Sequence, residues 1–141
     1  MNLRVFADTN VFIYSFEYPE SNSAKIIGLL NQGEIEIVTS EQVLKEVTEY
    51  LEKFHSIGHA RKFRRYILDN CIVVMKSEVI KEINSLKGQI KDKDLEQLAV
   101  TKKYGIKFLI AYDKDYEGFE EYTTPRKFLV LMKLKTTDSE F

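Results

Sequence analysis

Short apolar runs alternate with stretches of helical periodicity along almost the whole chain. The first run, Val5-Phe6-Ala7, is too short for a helix and is bounded by Asp8-Thr9-Asn10. It predicts a buried strand that stops at a carboxylate. Val11 to Tyr14 begins a short helix, which Asp8, Thr9 or Asn10 can cap. After a loop from Tyr18, Asn22 or Ser23 caps a helix through Ala24, Ile27 and Leu30 that ends at Asn31-Gln32-Gly33. Ile35 to Val38 predicts a second strand. Thr39, with Gln42 three residues on, has the form of a capping box. The helix that follows places Val43, Leu44, Val47, Tyr50, Leu51 and Phe54 on one face. His55 to Gly58 interrupts it, and a further helical run covers residues 59–68. Cys71 to Val74 is a third strand, and a helix from Ser77 through Leu86 closes at Gly88. Asp92-Lys93-Asp94 opens the next helix, which stops at Tyr104-Gly105. A strand over residues 108–111 leads into the turn Asp113-Lys114-Asp115. Thr124-Pro125 then starts a last helix, with Thr at the cap and Pro in the first turn.

Strands that alternate with helices predict an α/β fold with a mainly parallel sheet covered on both faces. The 141 residues fit one domain, taken as 1–135, followed by a polar flexible tail at 136–141. Composition changes this picture little: 44% hydrophobic and 30% charged residues describe an ordinary globular chain. The net charge of -1 excludes a global basic field, so any nucleic-acid contact must come from a local patch. The single Cys71 excludes an internal disulfide, and its apolar surroundings predict an inert buried thiol. No secretory signal and no membrane-length apolar run are visible, which points to a cytoplasmic protein.

The chemistry lies in acids at strand ends. In an open α/β sheet, ligands bind outside the carboxyl ends of the strands. Asp8 and Asp113 follow strands there, and Asp94 stands where a helix begins. On the helix after Thr39, Glu46 falls just outside the apolar arc, so it can lean inward and still reach a cleft. Read singly, each has a structural explanation. Asp8 can be a helix cap, and Asp94 with Gln97 a capping box for which Asp92 competes. Asp113 and Asp115 can be turn acids, and Glu46 a solvated helix residue. Together, carboxylates converging with no basic partner in their motifs would repel one another. A hard divalent cation resolves that repulsion, and Mg²⁺ and Mn²⁺ prefer such oxygen ligands. Thr9 and Asn10 are placed to orient the carboxylates or the waters around them.

At this level the residues resemble a family. Asp8-Thr9-Asn10-Val11 after a first strand is similar to the opening of the PIN domain, a family of metal-dependent ribonucleases. Ser40-x-x-Val43-Leu44-x-Glu46 resembles its second motif, and Asp94 with Leu98, Ala99 and Gly105 its third. Residues 109–116 resemble the fourth, and Thr124 to Leu129 the C-terminal Thr-Pro element. The resemblance spans residues 3–131. It implies a three-layer α/β/α sandwich in which Asp8, Glu46, Asp94 and Asp113 bind Mg²⁺ or Mn²⁺ and catalyse hydrolysis of RNA phosphodiester bonds. Asp115 and Asp92 are near rivals of the last two acids. Many members are toxins of toxin–antitoxin pairs (VapC type) and act as homodimers. An antitoxin protein, single-stranded or structured RNA and a second copy are therefore the expected partners. The family often has Thr or Ser where Ala111 stands. That departure keeps open an alternative, a catalytically weak PIN-like module that binds RNA or protein. A receiver-type or phosphatase-type domain is a more distant rival. Against the phosphatase, Asp8-Thr9-Asn10 has no second Asp two residues on, and against the receiver, no acid pair stands beside the strand-end Asp.

One local basic patch stands out. Arg61, Lys62, Arg64 and Arg65 cluster with His59 after Gly58, interleaved with Phe63 and Tyr66. A charged solvated helix face explains them. So does a phosphate track toward the acids, extended by Lys114 and Arg126.

Overall fold

Val5, Phe6 and Ala7 are completely buried, and the strand they form is the middle of the sheet. A computed structural model describes residues 3–141. Among these residues the strands are β1 (Leu3–Ala7), β2 (Ile35–Ser40), β3 (Ile72–Val74), β4 (Phe108–Ile110) and β5 (Tyr122–Thr123). All their pairings are parallel, in the order β3-β2-β1-β4-β5. Phe6 aligns with Val38 on one side and Leu109 on the other. The helices are α1 (Thr9–Glu17), α2 (Asn22–Asn31), α3 (Glu41–Phe54), α4 (Ile57–Asn70), α5 (Ile80–Leu86), α6 (Leu95–Lys103) and α7 (Pro125–Leu131). They cover the sheet as the outer layers of an α/β/α sandwich. Their buried stripes, with Phe12, Ile26, Leu51, Ile67, Leu98 and Phe128, close the core. Cys71 is half-buried rather than fully buried, and that burial pushes its thiol up to about 12, which keeps it protonated. No helix among the described residues is long and apolar enough to cross a membrane.

The chain order turns back at β1: β2 and β3 extend the sheet on one side of it, β4 and β5 on the other. Connections leaving β1 and β4 therefore part at their carboxyl ends and leave a crevice between them. The Asp8 N–H donates to the Ile110 carbonyl (3.0 Å), which fixes that crevice at its floor.

Several local expectations change for identifiable reasons. β2 runs to Ser40 because the Thr39 hydroxyl donates to the Ala7 carbonyl (2.9 Å), holding Thr39 in the sheet. Ser40, not Thr39, caps α3 by accepting from the Val43 N–H (3.1 Å). Gln42 is not a capping-box partner: its backbone N–H donates to Glu96 and its side-chain amide to the Lys93 carbonyl. Ser21, not Asn22 or Ser23, caps α2. Asn22 is completely buried and hydrogen-bonds through both its side-chain oxygen and nitrogen to Thr137. Gly58 lies inside α4, whose cap is Ser56. A 3-10 turn over Lys76–Val79 leads into α5. β5 has only two residues, too few to leave a periodic signal.

Candidate active site

Asp8 is the N-cap of α1 and accepts from the Thr9 N–H (2.8 Å). Asp8 is half-buried as a residue and sits at the floor of the crevice among protein atoms. Burial, with the charges of Glu46, Asp94 and Asp113, pushes it up to about 7 against the pull of the Thr9 N–H. Glu46 reaches the same place from α3, and the Thr9 hydroxyl donates to its Oε1 (2.9 Å). Thr9 thus aims one carboxylate with its backbone and a second with its side chain.

Asp94 closes the far wall. It ends the 3-10 turn Asp92–Asp94 and is only 3% exposed. It caps no helix through its side chain, so the capping-box reading with Gln97 does not hold. Gln97 instead accepts from the Ser40 hydroxyl (2.9 Å) and donates to the Lys93 carbonyl (3.0 Å). Asp113 follows β4 and caps a 3-10 turn, Lys114–Tyr116, by accepting from the Asp115 N–H (2.9 Å). The resulting cleft of about 180 Å³ is lined by Asp8, Thr9, Asn10, Glu46, Lys93, Asp94, Gln97, Tyr112 and Asp113. All four acids of the expected quartet face it, as do Thr9 and Asn10.

The tightest acidic grouping shifts toward one wall. One carboxylate oxygen from each of Asp94, Asp113 and Asp115 lies within 4.8 Å of the others. Asp115 thereby joins the site, while Asp92 does not. Two residues in a 3-10 turn point in different directions, and Asp92 is exposed over a separate hollow beside Lys87 and Glu96. The expectation that the acids have no basic partner is also corrected. The Lys93 ammonium lies 2.5 Å from Asp113 and 3.2 Å from both Asp94 and Asp115. Lys91 adds a second contact to Asp115 at 3.3 Å.

Asp94 Oδ2 and the Tyr116 hydroxyl are buried against each other at this wall, and neither makes an aligned hydrogen bond. Lys93 donates to Asp94 Oδ1 (3.4 Å) and lies 3.2 Å from Oδ2 without hydrogen-bond alignment. Burial raises Asp94, which the Lys93 ammonium opposes. Burial and the charges of Asp8, Asp94 and Asp113 hold the proton firmly on Tyr116. Lys93, Tyr112 and Tyr116 were not singled out by the sequence. For Tyr116, the one available signal was its place three residues after Asp113.

The basic residues lie elsewhere. Arg61, Arg64 and Arg65 are exposed on α4 over a hollow shared with Leu68 and Asp69. Lys62 flanks an apolar groove with Phe16, Phe63 and Tyr66. Lys114 is exposed beyond Asp113. None of them lines the acidic cleft.

The PIN domain family matches residues 5–122 of the 141. The chain belongs to the PIN domain family. Solved structures with the same fold include a toxin–antitoxin complex from Klebsiella pneumoniae. It is 20% identical with a TM-score of 0.69, covering 86% of this chain and 97% of that one. The sarcin-ricin-loop-cleaving toxin VapC20 of Mycobacterium tuberculosis is 17% identical with a TM-score of 0.61, covering 81% and 93%. VapBC2 of Rickettsia felis, bound to a DNA fragment from its promoter, is 14% identical with a TM-score of 0.65, covering 82% and 92%. At such identities the likeness speaks for the fold. No curated protein matches the sequence. In this PIN domain the acids of four chain segments meet where the order of strands reverses, the position at which α/β folds bind ligands.

Proposed function

We propose that this PIN domain is a Mg²⁺- or Mn²⁺-dependent endoribonuclease that hydrolyses RNA phosphodiester bonds, with Asp8, Glu46, Asp94 and Asp113 as its metal-binding acids. The observation that carries the reading is Asp94, whose side chain is only 5% exposed and keeps one oxygen without an aligned hydrogen bond, facing further acids across the cleft. An all-oxygen carboxylate set suits a hard divalent ion and offers nothing to a thiophilic one. When bound, such an ion supplies Lewis-acid charge to the phosphodiester and acidifies a water.

The chain's own residues do the rest. Thr9 holds Asp8 and Glu46 at fixed orientation through one N–H and one hydroxyl. Asn10, exposed at the cleft, offers an amide donor to a phosphate oxygen. The proton that Asp8 retains near neutrality must leave before the site carries its full negative charge. Asp115 orders the Asp113 loop through its backbone N–H. Incubation of the protein with single-stranded RNA and Mn²⁺ is expected to give cleavage that EDTA abolishes. Intact RNA with Mn²⁺ present favours the second reading, a binding module. Ala111 is the residue that supports that reading, since it is completely buried and gives Asp113 no neighbouring hydroxyl.

We infer partners from the same surfaces. The apolar groove of Phe16, Ile27, Phe63 and Tyr66 supports contact with an antitoxin protein in the cytoplasm. Exposed Ile57, Leu68, Ile72 and Met75 support pairing with a second copy. The arginines of α4 form an RNA track. Arg64→Glu with Arg65→Glu is expected to flatten the salt dependence of RNA binding by about 1.4 in slope, the release of two single-strand counterions. An unchanged slope makes that helix face a solvated one.

A further inference from the structure

Lys93 is the unexpected member of the cleft. It stands between Asp92 and Asp94 in sequence, where a solvated side chain is the ordinary outcome. Its ammonium is instead drawn inward onto three carboxylates, from Asp94, Asp113 and Asp115. These are the same three groups whose oxygens lie within 4.8 Å of one another. The backbone beneath it is anchored on both sides. The Lys93 carbonyl accepts from the side-chain amides of Gln42 (2.7 Å) and Gln97 (3.0 Å). The backbone of Lys93 is therefore held by the fold, and its side chain reaches the carboxylates from a fixed anchor.

We propose that Lys93 is the resident cation of this acidic cleft, and that a divalent ion binds only by displacing it. The inference rests on the metal-site reading above and adds a competitor to it. An ion that takes Asp94 and Asp113 as ligands needs their oxygens at about 2.0–2.2 Å. Lys93 already holds oxygens of both residues, one of them at 2.5 Å. Two cations drawn to the same oxygens repel each other at close range, and one must leave. Lys93 can leave without unfolding anything, since its side chain is 55% exposed and its backbone bonds stay in place. Asp94 Oδ2 is the atom that gains most from the exchange. Lys93 gives it charge but no aligned hydrogen bond, whereas an ion would coordinate it directly.

The apparent affinity for metal is then reduced by the fraction of molecules in which Lys93 is undocked. If the ammonium is docked in about nine molecules of ten, its removal tightens binding about tenfold. Lys93→Met is expected to lower the Mn²⁺ dissociation constant about tenfold, measured from the free Mn²⁺ electron paramagnetic resonance signal. Lys91→Met removes a like charge that touches Asp115 alone, and is expected to change it much less. A readout on the unaltered protein needs no variant. Acylation of Lys93, followed by mass spectrometry, is expected to be slow without metal and to accelerate as Mn²⁺ is added.

Equal effects of the two substitutions would reduce Lys93 to general electrostatics and overturn the proposal. An unchanged or weaker Mn²⁺ affinity in Lys93→Met, with the wild type binding normally, overturns it while leaving the metal site intact. Failure of both proteins to bind Mn²⁺, with Lys93 acylation unaffected, overturns the metal-site reading and the exchange with it.

Discussion

Asp8→Asn is expected to lower Mn²⁺-dependent RNA cleavage by more than about a hundredfold while making the metal-free protein more stable. The two effects have opposite signs because the same charge serves one state and burdens the other. Asn retains the helix cap, since its side-chain oxygen accepts from the Thr9 N–H as Asp8 does. What it removes is a negative charge held among Glu46, Asp94 and Asp113. Asp8 ionises near 3.8 in the unfolded chain and near 7 in the fold. The folded state therefore binds its proton more tightly. The stability from this group is full below about pH 4 and is lost as pH rises through 7. Above that pH the ionised carboxylate costs on the order of 2 kcal/mol, allowing for the solvent that reaches the cleft floor. Calorimetry at pH 8 should show the Asn variant melting several degrees above wild type, with the gap closing toward pH 4. A variant that cleaves normally would remove Asp8 from the metal-binding acids, and one that melts lower at pH 8 would show that its charge is no burden on the metal-free fold.

Mn²⁺ itself is expected to raise the melting temperature of the wild-type protein strongly. An ion present at a hundred times its dissociation constant stabilises the fold by about 2.7 kcal/mol, roughly 8 °C for a domain of this size. The rise should be larger at pH 8 than at pH 5.5, because Asp8 must surrender its proton before it can bind the ion. EDTA should reverse it, and Asp8→Asn should show almost none of it. A melting temperature indifferent to Mn²⁺ at pH 8 would leave the acids as a structural cluster.

Much of this site is legible in the chain because its geometry follows from strand ends. Asp8 is placed by three buried residues and a polar stop, and the wheel that leaves Glu46 beside an apolar arc puts it in reach of Thr9. Other features depend on angles that a sequence does not carry. Asp92 and Asp94 look equivalent on paper, and the phase of a 3-10 turn separates them. Thr39 looks like a cap until the sheet extends past the apolar run and claims its hydroxyl. Lys93 was invisible because a lysine between two aspartates satisfies charge balance locally. Two of its three partners, Asp113 and Asp115, are 20 and 22 residues away along the chain and are brought to it by β4.

The two glutamine amides that converge on the Lys93 carbonyl, from α3 and from α6, divide this residue into a fixed half and a movable one. Many metal sites open through a lid or hinge, and the pace of loading is then the pace of a moving chain. Here the backbone at Lys93 is anchored, and the motion the exchange needs is rotation about side-chain bonds, a nanosecond event for an exposed side chain. If the cleft takes a divalent ion as proposed, its loading is expected to follow how readily that ion sheds its own waters. Mn²⁺ should therefore arrive faster than the reluctantly dehydrated Mg²⁺.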